Sequence, residues 1–374
     1  MQLTYDHQQI LSCVQAARRA AAGSTTLPIL THLHIEANDK GLRVSGTDLE
    51  TWVEASIPLV ADKHGACCVP ARYFEEYLEA MPGKGETTFQ INKKGRLAVS
   101  VADGKGAKCA MKFNTLPSKE YPAPPRFGDG DTTTFELSFA EWTELCRRAW
   151  FCPGRDDARA VLTNALLESR GDILVGATTN SQRLAMLKMP RKMPQFTALI
   201  PPDAVKLVTA LLPENAAVNI TIGSYQSNPL LRAQLPGITI WSRLYSGTYP
   251  AVDRVVPAAD TAVRFIANRE EFLASLKRVA PMARVVLGKV LLTVNGLALT
   301  ITSAENEIGA ASDSITVTDS RDWTAAFDAR FLIDAASASD GEFITFAQDR
   351  EDRPALISDY NARWAAVIMP IMAA

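Results

Sequence analysis

His7-Gln-Gln-Ile-Leu-Ser-Cys-Val-Gln-Ala-Ala-Arg-Arg19 returns as Phe139-Ala-Glu-Trp-Thr-Glu-Leu-Cys-Arg-Arg148 and again as Arg269-Glu-Glu-Phe-Leu-Ala-Ser-Leu-Lys-Arg278. Each stretch reads as an amphipathic helix that closes on two basic residues. The pairs Arg18-Arg19, Arg147-Arg148 and Lys277-Arg278 are spaced by 129 (18 to 147) and 130 (147 to 277) positions. A second helix recurs on the same period, opening at Val69-Pro-Ala-Arg72, at Ile200-Pro-Pro-Asp203 and at Phe327-Asp-Ala-Arg330. Strand-like segments with alternating apolar residues line up between them, at 30–35, 162–167 and 287–292. A period of this length is that of a whole domain rather than of a solenoid repeat, so the chain reads as three tandem copies of one α+β fold. In each copy two helices pack on antiparallel sheets.

Proline-rich stretches set the boundaries. Tyr121-Pro-Ala-Pro-Pro125, followed by Gly128-Asp-Gly-Asp131, closes the first copy, and Tyr249-Pro-Ala-Val-Asp-Arg-Val-Val-Pro257 closes the second. Proline has a fixed φ and no backbone donor, which suits an extended linker. The domains are therefore expected at 1–125, 126–257 and 258–374. Tight turns are expected at Asn38-Asp-Lys-Gly41 and Lys93-Lys-Gly95.

A hydrophobic fraction of 47% with 21% charged residues supplies a core for each third. No stretch is long and apolar enough for a membrane span, and Met1-Gln-Leu-Thr-Tyr-Asp-His7 lacks the basic-then-apolar pattern of a secretory leader, so a cytoplasmic protein is expected. Cys13, Cys67, Cys68, Cys109, Cys146 and Cys152 show no paired framework and no metal-ligand spacing, which favours six reduced thiols.

Catalytic motifs are absent. The chain has four histidines, His7, His32, His34 and His64, all in the first copy. His32-x-His34-x-Glu36 puts three potential ligands on one strand face, where a divalent metal or a hydrolase site could form. Leu33 and Ile35 form the opposite, inward face, so a solvated strand face is the simpler reading, and no metal or cofactor is expected. Gly83-Lys-Gly85 and Gly104-Lys-Gly106 lack the spacing of a phosphate loop and read as hairpin turns.

Basic residues near a helix C-terminus are favoured by the helix dipole alone, so one pair means little. Three pairs at one period point to a shared basic surface that meets phosphates without reading bases. The chain nevertheless carries net charge −2 and a pI near 6.2, so those cations must be concentrated on one face.

Along its whole length the chain resembles the bacterial DNA polymerase III β sliding clamp family. The resemblance is carried by Thr26-Leu-Pro-Ile-Leu30, Gly46-Thr-Asp-Leu-Glu50, Val69-Pro-Ala-Arg72, the Tyr249-Pro to Val256-Pro257 linker and Val367-Ile-Met-Pro370, in that order on the threefold repeat. It implies a noncatalytic processivity factor, a head-to-tail homodimer whose six domains close a ring on duplex DNA. The DNA-facing cations would be Arg18, Arg19, Arg72, Arg147, Arg148, Lys277 and Arg278. A pocket for a short linear peptide of polymerase III alpha, other polymerases, the clamp loader and repair proteins would use Leu162, Thr178, Arg183, Leu184, Pro250, Arg254, Val255, Val367, Met369 and Pro370. The dimer contact would join the edge strand Lys108-Cys-Ala-Met-Lys112, through Lys108 and Met111, to Pro281 and Met282. Three departures bear on peptide preference or identity: a loop at 178–184 one residue longer than the family's, with Gln182 before Arg183-Leu184; Ser24 where the family often has a cation; and the tail Ile371-Met-Ala-Ala374, which lacks an arginine. A specialised, paralogous clamp fits the same pattern.

Overall fold

The computed structural model describes residues 1–81, 85–92, 95–102, 108–128, 130, 132–258, 261–359 and 363–372, with only the backbone at 102, 108, 109, 157 and 286. The turn at 104–106 lies outside these residues, and those at 83–85 and 93–95 lie partly outside them.

Among the described residues six α-helices form: α1 (His7–Arg18), α2 (Ala71–Glu79), α3 (Phe139–Arg148), α4 (Pro202–Leu211), α5 (Arg269–Ala283) and α6 (Ala329–Ala338). Asp6, Asn268 and Asp328 cap α1, α5 and α6 by accepting hydrogen bonds from first-turn amides, which satisfies donors that have no partner inside the helix. The shared starting points correct the spacing of the basic pairs. Lys277-Arg278 stands at the same step of α5 as Arg147-Arg148 in α3, whereas Arg18-Arg19 lies three residues further along α1. Nor does α5 end on its basic pair, since it continues through Pro281 to Ala283.

The strands begin later than alternation alone predicts. Short 3-10 turns at Pro28–Thr31, Asp157–Thr163 and Arg284–Val286 precede the strands His32–Asn38, Ala165–Ser169 and Lys289–Asn295. In the first of them Pro28 presets the turn's φ.

The chain folds into two compact units, residues 1–140 with 203–244, and residues 141–202 with 245–374. This division cuts through the middle third instead of following the sequence repeat, because the sheets cross the repeat boundaries. In the first unit an eight-stranded antiparallel sheet runs Gly65–Pro70, His32–Asn38, Gly41–Thr47, Thr51–Ile57, Ile238–Arg243, Asn228–Leu235, Ala217–Tyr225, Thr133–Ser138. Thr51–Ile57 and Ile238–Arg243 form its internal joint, with Trp52 opposite Trp241. A separate four-stranded sheet runs Gln2–Asp6, Glu86–Ile91, Leu97–Ala102, Lys108–Phe113.

The second unit repeats the plan. Its eight strands run Phe196–Ile200, Ala165–Ser169, Ile173–Thr179, Arg183–Pro190, Trp364–Ile368, Ala355–Ser358, Phe343–Ala347, Val263–Asn268, and the joint places Leu184 opposite Val367. Its four-stranded sheet runs Ser312–Thr316, Ala298–Ser303, Lys289–Asn295, Trp323–Asp328.

Helices cover the sheets at close range. A Cβ on Gly46 would sit 1.9 Å from the Ala17 carbonyl oxygen of the α1 C-terminus, so only glycine permits this approach. At the matching place in the second unit Thr178 stands instead, and its Oγ1 donates to the Ala149 carbonyl at 2.6 Å. The 249–257 linker is not simply extended, because Val252–Arg254 forms a 3-10 turn and Tyr249 and Val252 are buried. Among the described residues no helix is long and apolar enough to cross a membrane.

Candidate functional site

In the second unit the 249–255 segment lies against the joint of the eight-stranded sheet. Leu162, Leu184 and Val367 are buried in one cluster with Leu166, Val175, Ala177, Met186, Tyr249 and Val252. Leu166, Val175, Ala177 and Met186 come from alternate positions of the strands at 165–169, 173–179 and 183–190, a period-2 signal present in the sequence, and Tyr249 and Val252 come from the linker. Above this apolar floor Pro250, Arg254, Val255 and Met369 are exposed and Pro370 is half-buried. The rim is held in place by Asp253, which pairs with Arg170 at 2.7 Å and Lys188 at 3.2 Å. Hydrogen bonding from Arg170 holds the Asp253 carboxyl below its ordinary range. The arrangement of apolar floor, aliphatic rim and few polar groups suits an extended peptide with apolar anchors.

Two residues expected in the pocket have their side chains engaged elsewhere. Thr178 is fully buried, bonded to Ala149 and accepting from the Cys152 amide at 3.2 Å, so it holds α3's exit against the sheet. The Arg183 guanidinium pairs with Asp334 of α6 and lies 4.4 Å from the Phe331 ring. Its position at the joint is therefore fixed by α6. The backbone of the 178–184 loop is tied to the last strand, since the Met369 amide donates to the Gln182 carbonyl at 2.8 Å.

The seven expected DNA-facing cations differ in character. Arg19 and Lys277 are exposed and make no ion pair among the described residues. Arg18, Arg72, Arg147 and Arg278 are partly or largely exposed and carry one carboxylate partner each, Glu75, Glu76, Asp340 and Asp313. Arg148 is a correction. It is 2% exposed, bonded to Asp359 and Glu144, and stacked 5.4 Å from the Trp364 ring, so it cannot meet a phosphate. The sequence missed Lys206 of α4, which lines a cleft of about 300 Å³ together with Arg19, Asp48 and Asp203. Its pairing with Asp203 at 3.0 Å leaves it largely exposed.

The expected dimer residues fall on two elements. Met111 is exposed on the edge strand Lys108–Phe113, whose outer side has no strand partner among the described residues; the Lys108 side chain lies outside them. Pro281 and Met282 belong to the last turn of α5 rather than to a strand. The matching free edge of the second unit is Ser312–Thr316, a strand the sequence reading overlooked. Met282 does lie next to its approach, because a Cβ on Gly309 would meet the Met282 methyl at 3.6 Å.

The His32, His34 and Glu36 side chains are engaged separately. His32 Nδ1 donates to the Pro28 carbonyl at 2.9 Å, His34 stacks on Tyr121 with ring centroids 5.2 Å apart, and Glu36 pairs with Arg43 at 2.7 Å. Among the described residues no group of three metal-ligating side chains exists. Cys13, Cys67, Cys68, Cys146 and Cys152 are free thiols, and burial pushes Cys67 and Cys68 up to about 12, which makes them poor nucleophiles.

The fold and these surfaces define a class, a three-domain α+β clamp with free sheet edges and an apolar joint covered by a linker. Sequence models of the N-terminal, central and C-terminal domains of the DNA polymerase III beta subunit match residues 1–125, 136–251 and 253–372. The chain belongs to the DNA polymerase III beta subunit family, the bacterial sliding clamps. It is 26% identical to the beta sliding clamp of Escherichia coli over 99% of this chain and 100% of that one, and 24% identical to that of Bacillus subtilis over 96% of each. Among solved structures, a sliding clamp from Bartonella birtlesii bound to griselimycin superposes with TM-score 0.89 at 25% identity. A Pseudomonas aeruginosa sliding clamp does so with TM-score 0.89 at 22%, and both comparisons cover all of each chain.

Proposed function

We propose that two copies of this chain close a ring around duplex DNA and tether the replicative polymerase, giving processivity without catalysis. The observation that carries this reading is the mismatch between the two kinds of sheet. Two eight-stranded sheets are completed inside the chain by joints between repeats, while two four-stranded sheets keep free edges at Lys108–Phe113 and Ser312–Thr316. An edge strand completes itself by pairing, and a head-to-tail contact that closes after two copies leaves neither of these two edges open.

The internal joints also supply a register. Trp241 opposes Trp52, and carrying that pairing through the repeat sets Met111 of one copy opposite Ala311 of the other, in antiparallel strands. A Met111→Cys/Ala311→Cys double variant should therefore crosslink between subunits, and Met111→Cys/Asp313→Cys should not.

In this reading the domains are 1–125, 126–257 and 258–374, and the protein works in the cytoplasm. Arg18, Arg19, Arg72, Arg147, Lys277, Arg278 and Lys206 supply weak, sequence-blind phosphate contacts. The second-unit pocket docks linear peptides of polymerases, the clamp loader and repair proteins. The test is retention after loading on circular versus linearised duplex, with native mass in parallel. A dimer held on circles and lost from ends supports the clamp, and a monomer or equal release from both rejects it.

A further inference from the structure

The first unit contains a counterpart of the peptide pocket with different chemistry. Tyr121 begins its linker as Tyr249 begins the other, and the segment after it runs over the joint of the sheet. The cleft measures about 450 Å³, room for a few residues of extended chain. Strand registers align the two floors residue by residue: Trp52 and Trp241 stand where Leu184 and Val367 do, Arg43 where Val175 does, and Glu54 where Met186 does.

We propose that this cleft is a second docking site and that it takes an acidic, extended peptide segment instead of an apolar-anchored one. Both carboxylates on its floor are already committed, since Glu36 and Glu54 flank Arg43 at 2.7 and 3.5 Å. A cationic ligand would have to displace Arg43, and an apolar anchor would strip water from this half-exposed ionic triad without replacing its hydrogen bonds. The uncompensated charge is positive. Arg126 is exposed, and Arg232 lies 5.4 Å from the Phe127 ring with one amino group donating to Thr221; neither has a carboxylate partner among the described residues.

Two buried polar atoms of cleft-lining residues also lack partners among the described residues. The Nε of Arg232 has none, and neither has the indole nitrogen of Trp52, a residue 94% buried by its 6% exposure. The linker end thus offers two guanidinium groups to an acidic side chain, while the partly exposed Trp241 offers a flat surface to its neighbours.

This inference goes beyond the clamp reading and does not depend on ring closure. Its test is fluorescence anisotropy of the full chain with a fluorescein-labelled Glu/Asp- and Leu-containing hexapeptide and with the same peptide carrying Gln/Asn in place of the acids. The acidic peptide should bind saturably. Arg126→Gln, at an exposed position that the fold does not need, should weaken it about tenfold, and Arg126→Gln/Arg232→Gln more, as expected for lost charge-assisted bonds. Met186→Glu, which spoils the second-unit pocket, should leave it unchanged. No saturable binding, equal binding of the amide peptide, or loss caused by Met186→Glu alone would overturn the proposal. Competition by inorganic pyrophosphate at equal strength would also overturn it, because it would reduce the cleft to a bare anion site.

Discussion

The two linker-covered joints share one framework and differ in where they put charge. In the second unit the floor is apolar and the charge lies in the core, in the Arg148–Asp359 pair beneath Trp364. In the first unit the helix positions matching Arg147 and Arg148 are Gln15 and Ala16, neither of them charged, and the charge lies on the floor as the Glu36–Arg43–Glu54 triad. A pocket that must accept apolar anchors has to keep ions off its floor. A repeated fold can meet that requirement at one joint and relax it at the other.

The largest effect should therefore come from the buried pair. Arg148→Ala leaves the Asp359 carboxylate, 5% exposed, without its cation, and should cost about 3–5 kcal/mol in a urea melt. Arg43→Ala removes a cation from a half-exposed triad and should cost under about 1 kcal/mol. Equal losses from the two variants would erase the distinction between structural and surface charge.

The next effect is on binding. Met186→Glu gives the second-unit floor the residue the first unit carries at Glu54, and should weaken an apolar clamp-binding peptide at least about tenfold, or 1.4 kcal/mol. Glu54→Met should not change that affinity. A smaller effect is expected from the tyrosines that start the two linkers. The Tyr249 hydroxyl accepts from the Thr179 amide at 3.1 Å, and the Tyr121 hydroxyl donates to the Ser45 carbonyl at 3.1 Å. Removing either hydroxyl should cost about 0.5–1.5 kcal/mol, with Tyr249→Phe alone also loosening peptide binding.

The helices and their order were legible in the sequence because each carries its own information, an apolar stripe, in three of them behind a capping Asp6, Asn268 or Asp328. The repeat was legible for the same reason. Arg148 was misread because its partner Asp359 is 211 positions away and nothing local distinguishes it from Arg147 beside it. The free edge at Ser312–Thr316 was missed because its alternation is weak and its identity as an edge depends on which strands pair elsewhere. The first-unit cleft was out of reach from spacing alone, since its floor draws on residues from His34 to Trp241. Its two outermost polar members, His34 and Glu36, were noticed as a strand face, but the Arg43 that claims Glu36 and the Tyr121 that covers His34 come from other segments.

His34 supplies the smallest and most selective test of the comparison. Burial, reinforced by Arg43 and opposed by Glu36, lowers its pKa, whereas its counterpart in the second unit, Leu166, does not titrate. With the folded value below that of the unfolded chain, about 6.5, the unfolded state binds more protons between the two values. His34 therefore contributes stability that is fully present above about pH 6.5 and is lost as pH falls toward its folded value. His34→Leu removes this term and lets the first unit imitate the second. The difference in urea midpoint between wild type and His34→Leu should hold constant from pH 8 to 7 and move against wild type below about pH 6.5. If that difference stayed flat down to pH 5, the linker would not be desolvating His34, and the Tyr121 segment would not be a true counterpart of the Tyr249 segment that roofs the apolar floor.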